Sequence, residues 1–397
     1  MSEISADEQR VHRIDTFRQS VDGTYKPLID SVFLIVAIHF FAVGDVWKGL
    51  ISASTFIGFF LSIPLTGLLY RSTVSRSRVL MLLTFISASA MTAATLSSSG
   101  IMFALSVTVS SAAVSLRQPF FTDLYREQYP SLRRAQQISL GLRLGQVFSM
   151  AAGLLYGRLL DLNLNYWRWI SIFSILVFLF TALQLARLPG APVVPGKKSW
   201  LQALSLPFRN PVFLYVQASW MLIGFGNLLT LPLKVVYLTE EGRGLGLFPA
   251  MVTLIIVVIP AVMKLVFNPF WAGLYQKMSF PLFRISVNIF FMLSLSLYFL
   301  TDNLSVIVLS SVLFGMGTSG SPFVWQLWVT RIAPSDETRV YQSAHAFLAG
   351  VRGVVAPFVG FAVFQQFSLR AIGLSAALLA LMATLRMVPL LRKDRLF

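Results

Sequence analysis

Cysteine is absent from the sequence, which excludes disulfide bonds and any chemistry that needs a thiolate. Histidine is scarce, and His12, His39 and His345 lie too far apart along the chain to indicate a metal cluster. The chain lacks the Gly-x-x-x-x-Gly-Lys-Ser/Thr loop of nucleotide-binding proteins, the His-Glu-x-x-His motif of zinc enzymes and the Gly-x-Ser-x-Gly motif of serine hydrolases. We therefore expect no bound metal, no cofactor, no direct use of ATP and no enzyme activity.

Charge is also sparse in this sequence. Charged residues make up 12% of the 397 residues and hydrophobic residues 56%, which is more apolar surface than a soluble core of this size can bury. The apolar runs are continuous rather than alternating with a period of two, so they predict membrane-spanning helices. Runs of about 20 residues, long enough to cross a bilayer, define twelve predicted spans at 18–43, 47–70, 79–98, 100–124, 137–160, 167–188, 211–238, 247–276, 281–301, 304–329, 341–366 and 369–390.

The net charge of +16 raises the possibility of a nucleic-acid partner, but that function requires basic residues gathered on one soluble face. Most of the 32 lysines and arginines fall instead in the loops and tails on the side of the N-terminus. This bias predicts that both termini are cytoplasmic. The start MSEISADEQR is polar and acidic, unlike a signal peptide. We expect a multi-pass protein of the plasma (bacterial inner) membrane that contacts lipid, binds no nucleic acid and is monomeric.

Pairs of similar residues recur at an offset of about 205 residues. Pro27-Leu28 corresponds to Pro232-Leu233, Pro64 to Pro269, and Pro119-Phe120 to Pro322-Phe323. The pairs keep the same order, so they predict two six-helix halves, 1–188 and 211–397. The segment between them, 189–210, is rich in proline and contains a pair of lysines, which is typical of a cytoplasmic linker.

Twelve spans in two halves, with basic loops after spans 2 and 8, resemble the major facilitator superfamily, and the resemblance covers essentially the whole chain. The segment PLTGLLYRSTVSRSR, residues 64–78, is similar to that family's motif Gly-x-Leu-x-Asp-Arg-x-Gly-Arg-Arg between helices 2 and 3. Gly67, Leu69 and Arg76 match it, but Arg71 or Tyr70 stands in place of the family's Asp. The resemblance implies that this loop gates the cytoplasmic side through a latch that differs from the usual one or is weaker.

Span 1 contains the stretch VDGTYKPLID, which carries charges into an apolar segment. Asp22, Lys26 and Asp30 are spaced by four residues and so share one stripe of a helix. Because the matching segment of the second half lies within a long apolar span, we expect this stretch to enter the membrane with a bend at Pro27. The alternative is an interfacial leader before a short or tilted span.

Further polar residues lie within other spans: Arg117 and Asp123 in span 4, Arg143 in span 5, Lys264 in span 8, and His345 and Arg352 in span 11. An ionisable side chain in the hydrocarbon region costs roughly 2.5 to 3.5 kcal/mol on insertion scales. The functional interpretation is that these residues bind the solute, while an Asp that moves between apolar and cationic surroundings binds and releases a proton. The structural interpretation is that they form ion pairs or reach towards the ends of their spans.

Two glycine-containing stretches favour a binding site as well. GFGN, residues 224–227, and FGMGTSGSPFVWQLW, residues 314–328, predict breaks in spans 7 and 10, where freed backbone groups could face a solute. They add Asn227, Trp325 and Gln326 to the candidates, although a tryptophan in such a helix often serves only in packing.

These observations favour a secondary transporter of a small, anionic or zwitterionic solute, because the candidate cations outnumber the acids and arginine suits carboxylate or phosphate groups. The resemblance implies alternating access, and the buried acids favour coupling to protons. The alternatives are a membrane-embedded enzyme that acts on a lipid-like substrate and a non-transporting chaperone or sensor on the same fold.

Overall fold

The computed structural model describes residues 6–69, 74–129, 131–188, 205–242, 244–334 and 338–396. Every regular element that these residues form is a helix. The α-helices are α1 Ala6–Pro27, α2 Phe33–His39, α3 Asp45–Leu69, α4 Arg76–Thr95, α5 Gly100–Leu116, α6 Gln118–Gln128, α7 Ser131–Leu162, α8 Trp167–Leu185, α9 Pro211–Thr239, α10 Pro249–Thr253, α11 Ile259–Lys277, α12 Phe280–Tyr298, α13 Leu304–Ile332, α14 Thr338–Phe364 and α15 Leu369–Leu385.

At three junctions, two consecutive α-helices join into one longer helical stretch. The π-helical segments Leu28–Val32 and Leu254–Val258 connect α1 to α2 and α10 to α11. Arg117 alone separates α5 from α6. When each joined pair is counted as one, the described residues form twelve long helical stretches. Ten of the helical stretches in the described part of the chain are long and apolar enough to cross a membrane.

The stretch VDGTYKPLID is helical throughout, and its residues are buried or half-buried. The helix that contains it begins at Ala6, twelve residues before the predicted start of span 1. Pro27 is the last residue of α1, and the π-helical segment follows it directly. Proline cannot donate a hydrogen bond within a helix, which accounts for the change of helix type at this point.

The predicted breaks in spans 7 and 10 are wrong. Both α9 and α13 run as single helices through their glycine-containing stretches. Gly224 is needed for space instead, since a Cβ atom there would overlap the guanidinium group of Arg352. Similarly, a Cβ on Gly320 would lie 2.7 Å from Val287 and 3.1 Å from the Trp271 ring. These glycines allow close packing of side chains against an unbroken helix.

The chain divides into two compact units. One consists of Met1–Lys197 with Phe248–Thr253, and the other of Lys198–Leu247 with Leu254–Phe397. Within the first unit, the main-chain nitrogen of Ala250 donates to Asp161 Oδ1 at 3.0 Å. The division into 1–188, 189–210 and 211–397 stays a prediction, because residues 189–204 lie outside those that the structure describes.

Each unit has its own apolar core. The core of the first unit includes Val11, Leu80, Phe120, Phe121 and Leu185. In the second unit, the core is rich in aromatic side chains and includes Phe213, Trp220, Trp271, Phe283 and Trp328. Several ionisable side chains described below, among them Arg18, Arg117, Arg284 and Arg352, are buried, so water does not fully solvate their charges.

In the first unit, α1 packs against α7 through glycines. A Cβ on Gly23 would overlap the carbonyl oxygen of Gly145, and a Cβ on Gly141 would come within 2.7 Å of the Gln19 amide. These small residues therefore allow the two helix backbones to approach closely, as is common where membrane helices cross.

Candidate functional site

The first unit contains a network of ion pairs centred on Arg18. Its Nε and Nη2 donate to Asp15 Oδ1 at 3.0 and 2.7 Å, and its Nη1 donates to Asp22 Oδ2 at 2.7 Å. The three residues share one face of α1 because they are three and four residues apart. The guanidinium carbon also lies 3.7 Å from the centroid of the Phe121 ring. Two carboxylates and one aromatic face thus fix the position of Arg18.

Asp22 connects α1 to a second arginine. Its Oδ1 accepts a hydrogen bond from Arg117 Nη2 at 2.9 Å. Arg117 is buried between α5 and α6, where its Nε donates to the Val114 carbonyl at 3.2 Å and its Nη1 to Thr84 Oγ1 at 3.3 Å. The break at Arg117, which span 4 did not predict, precedes Pro119 in the first turn of α6, a favourable position for proline.

Tyr125 completes the network. Its hydroxyl donates to Asp15 Oδ1 at 3.0 Å and accepts from Arg18 Nη2 at 2.8 Å. The second carboxylate oxygen of Asp15 accepts from Gln19 Nε2 at 2.6 Å. Two carboxylates, those of Asp15 and Asp22, therefore face the two guanidinium groups, so the charges in the network balance.

Lys26, near the end of α1, and Asp30, in the π-helical segment that follows, form a separate pair. Lys26 Nζ lies 2.6 Å from Asp30 Oδ2, and the two side chains are 39% and 27% exposed. The predicted stripe thus divides into two parts: Asp22 pairs with arginines, whereas Lys26 pairs with Asp30. Because the Lys26–Asp30 pair is more exposed than the network around Arg18, its ion pair contributes less to stability.

The second unit buries two arginines against one tryptophan. The guanidinium carbon of Arg284, on α12, lies 3.6 Å from the centroid of the Trp220 ring. Arg352, on α14, donates from Nη1 to the carbonyl oxygen of Trp220. The side chains are only 2% and 8% exposed, respectively. None of the ion pairs among the described residues involves either arginine.

His345 lies beside this pair of arginines and is fully buried. Its Nδ1 is 2.8 Å from Gln217 Oε1, and since the amide oxygen can only accept, Nδ1 is the donor. The rings of Trp220 and Trp328 pack edge-on against the imidazole, with centroids 4.9 and 5.2 Å away. The histidine is thus held in one orientation by an amide and two indoles.

Lys234 is a third buried cation of the second unit. Its Nζ lies 4.4 Å from the centroid of the Phe314 ring and 4.8 Å from that of Tyr298. The side chain is 2% exposed, and the described residues provide it with no carboxylate partner. Aromatic faces attract a cation, although less strongly than a carboxylate at contact distance does.

The other predicted site residues differ in how far they are buried. Arg143 is exposed, and its Nη2 donates to Ser139 Oγ at 3.2 Å. Asp123 and Lys264 are half-buried, as is Asn227, whose Oδ1 has no hydrogen-bond partner among the described residues. The side chains of Trp325 and Gln326 lie outside what the structure describes.

Two of the three residues assigned to the gating loop belong to helices. Gly67 lies within α3, and Arg76 is the buried first residue of α4. Gly67 already lay within the predicted span 47–70, whereas α4 begins three residues before the predicted span at 79 and therefore includes Arg76. The gating role of these residues stays a prediction. Arg71 lies outside the described residues.

Sequence reasoning missed five residues of these clusters: Asp15, Arg18, Tyr125, Lys234 and Arg284. Asp15 and Arg18 precede or begin the predicted span 1, although their spacing from Asp22 already placed them on its stripe. Lys234 lies within span 7, and its charge in an apolar run was a usable signal. No group of three His, Cys, Asp or Glu side chains comes together in the part of the chain that the structure describes.

The chain matches a known protein family in sequence and solved structures in fold. A sequence model of the Major Facilitator Superfamily matches residues 31–357. Among solved structures, the nucleoside transporter NupG aligns with 98% of this chain and 100% of its own at a TM-score of 0.74 and 12% identity. A D-xylose-proton symporter aligns with 95% of this chain and 97% of its own at 0.70 and 16% identity.

A POT family transporter crystallised with a thioalcohol-conjugated peptide is also similar. It covers 98% of this chain and 96% of its own, with a TM-score of 0.75 and 11% identity. At such low identity, these likenesses concern the fold alone. No curated protein matches the sequence significantly.

Proposed function

The chain belongs to the Major Facilitator Superfamily, and on this premise we propose that it is a secondary transporter of a small anionic or zwitterionic solute. Transport occurs by alternating access and is coupled to protons. In this proposal the protein works as a monomer in the plasma (bacterial inner) membrane with both termini in the cytoplasm, and the bilayer and the solute are its partners.

The observation that carries this proposal is the position of Asp22 between two arginines. Its two carboxylate oxygens accept from Arg18 and Arg117, which belong to different helices. The Asp22 side chain is also 19% exposed, and in this proposal water delivers the proton to it. Protonation of Asp22 would remove its negative charge and free both guanidinium groups, which couples proton binding to a rearrangement of α1 against α5 and α6.

The pair Lys26–Asp30 provides a second place for a proton. It lies where α1 ends and the π-helical segment begins, and it is more exposed than Asp22. Loss of the negative charge on Asp30 would leave the Lys26 ammonium without its ion-pair partner. We therefore assign coupling to Asp22 and Asp30 together, with Arg117 as the group that responds to the charge of Asp22.

The charge of the solute follows from the second unit. In the first unit, Asp15, Asp22 and Asp30 are paired with cations, whereas Arg284 and Arg352 have no carboxylate partner among the described residues. Guanidinium groups without a carboxylate partner favour a ligand with a carboxylate or phosphate group. A D-xylose-proton symporter has a similar fold, so the proposed proton coupling is compatible with this architecture.

A thermal-shift screen of the purified protein at two pH values tests the proposal. A ligand that binds only the folded state raises the apparent melting temperature by mass action. We expect an anionic or zwitterionic compound to stabilise the protein to different extents at the two pH values, and the Asp22→Asn variant to lose this difference. If only neutral compounds stabilise it, with equal effect at both pH values, the assignments of solute charge and proton coupling are wrong.

A further inference from the structure

Building on the proposed transport function, we propose that Arg284 and Arg352 form an oxyanion-binding subsite in the second unit. It takes a carboxylate or phosphate group of the solute. The sequence offered Arg352 only as a single cation within a span, whereas the structure combines it with Arg284 around Trp220.

The subsite is built from three helices. Arg284 of α12 lies over the face of the Trp220 indole, and Arg352 of α14 binds the main-chain oxygen of the same residue on α9. Both arginines thus contact the same tryptophan, Arg284 through the indole ring and Arg352 through the main-chain oxygen. The absence of a side chain on Gly224 is part of this arrangement, because a Cβ there would overlap the guanidinium of Arg352.

The two guanidinium groups have hydrogen-bonding capacity that the protein leaves unused. An arginine has five N–H donors. The Nε atoms of both Arg284 and Arg352 are buried without a hydrogen-bond partner among the described residues. Buried donors without partners are costly, and an oxyanion can accept from several guanidinium N–H groups at once.

The local charge also favours an anion. Arg284 and Arg352 both contact Trp220, and His345 packs against the same ring. The neighbours that hold these groups, Gln217 and Trp220, are neutral. In the first unit, by contrast, the two buried arginines have a carboxylate partner, since Arg18 and Arg117 share the carboxylate of Asp22. In the second unit, the missing negative charge is supplied by the ligand.

A cation–π contact alone does not explain the arrangement. Arg386 also lies over an aromatic ring, 4.5 Å from the centroid of Tyr215, but it is a single cation near the end of α15. At Trp220, by contrast, two arginines converge on one residue. Arg386 therefore provides a matched control, an arginine of the same unit that stacks on an aromatic ring outside the proposed subsite.

The test measures thermal unfolding of the purified full-length protein in detergent. Sodium phosphate and sodium acetate are compared with sodium chloride at equal ionic strength, and uncharged acetamide serves as a neutral probe. The variants are Arg284→Gln, Arg352→Gln and the charge-preserving Arg284→Lys, with Arg386→Gln as the control. Unfolding curves and gel filtration establish that each variant is folded before its response is compared.

We expect phosphate or acetate to raise the melting temperature of the wild type and of Arg386→Gln by several degrees, while acetamide has no effect. Arg284→Gln and Arg352→Gln should each weaken the response by at least about tenfold in apparent affinity, as loss of a charge-assisted hydrogen bond does. Arg284→Lys should lie between them and the wild type because lysine keeps the charge but loses the planar fork. If the Gln variants do not fold, the comparison of Arg284→Lys with the wild type tests the subsite: a weaker oxyanion response in Arg284→Lys supports it, and an equal response contradicts it.

Three results would overturn the subsite: no oxyanion effect in the wild type, an equal effect of chloride, or unchanged responses in folded variants of Arg284 and Arg352. Uptake into sealed vesicles separates this inference from the proposed function. If an imposed gradient moves a neutral solute and no oxyanion binds, the subsite is contradicted but transport is not. If oxyanions bind but no imposed gradient moves them, the subsite is supported and the transport proposal is contradicted.

Discussion

Asp15 and Arg18 belong to one network of buried, hydrogen-bonded side chains. Asp15 accepts from Arg18, Gln19 and Tyr125, while Arg18 also binds Asp22. Burying these charges costs free energy that only the complete set of partners offsets. Removal of one member therefore leaves a buried charge with too few partners, and the effect on stability should exceed that of an exposed ion pair.

We predict that Asp15→Asn destabilises the protein by about 3 kcal/mol, because the buried Arg18 loses one of its two carboxylates. Tyr125→Phe, which removes a single hydroxyl from the network, should cost only about 1 kcal/mol. The measurement is the free energy of unfolding in detergent.

The control for this prediction is an exposed pair, Arg370 and Asp302, whose charged atoms are 3.7 Å apart. Arg370→Gln should change stability by less than about 0.5 kcal/mol, as is usual for surface ion pairs. Equal losses in Asp15→Asn and Arg370→Gln would mean that the network does not stabilise the first unit.

At this scale the sequence predicted which charges enter the spans but not their partners. Asp22 and Arg117 were both candidates, yet they are 95 residues apart and no local pattern connects them. The spacing of Asp22, Lys26 and Asp30 indicated a shared face, while the choice of Arg18 over Lys26 as the partner of Asp22 depends on the position of α5 and α6. Partner choice is a property of packing, which a single sequence does not contain.

At the scale of the elements, glycines determine how closely helices approach. The prediction that concerns α1 and α7 is that Gly23→Ala destabilises the protein by about 2 kcal/mol, since the added Cβ meets the backbone of Gly145, which cannot rotate away as a side chain can. Thermal unfolding of the purified variant measures the effect.

Gly273→Ala is the matched control. Gly273 also lies within a helix, α11, but a Cβ there would have nothing within 4 Å. Alanine should therefore stabilise the protein by about 0.5 to 1 kcal/mol through helix propensity alone. If Gly23→Ala were as stable as Gly273→Ala, the close approach of α1 and α7 would be contradicted.

Helix ends and junctions were only partly predictable. Proline marks two of them, Pro27 before the π-helical segment and Pro119 after the break at Arg117. Proline alone did not distinguish these positions from Pro232, which lies inside the continuous α9. Gly224 was read as a break although it makes room for Arg352. The role of a glycine depends on what packs against it, and that neighbour comes from a distant helix.

At the scale of the whole molecule, sequence predictions were most successful. Continuous apolar runs predicted an all-helical membrane protein, and the family match and the transporter structures confirm this fold class and the resemblance to the major facilitator superfamily. These properties depend on composition and on the order of spans, which are present in the chain itself. The identity of the bound solute depends on side chains brought together from several helices, so it could be narrowed only to a charge class.

The measurement that tests our account most directly is solute-dependent proton movement in proteoliposomes that enclose a pH-sensitive dye. The solute is the one that stabilises the purified protein most in the thermal-shift screen. Wild-type protein is compared with Asp22→Asn and with Glu241→Gln, an exposed acid as control. Retained stabilisation by the solute shows that Asp22→Asn still folds and binds.

We expect addition of the solute to change the internal pH with wild-type protein and with Glu241→Gln, whereas Asp22→Asn, although it binds the solute, should move no protons. Equal proton movement in Asp22→Asn and the wild type would contradict the assignment of coupling to the ion network on α1.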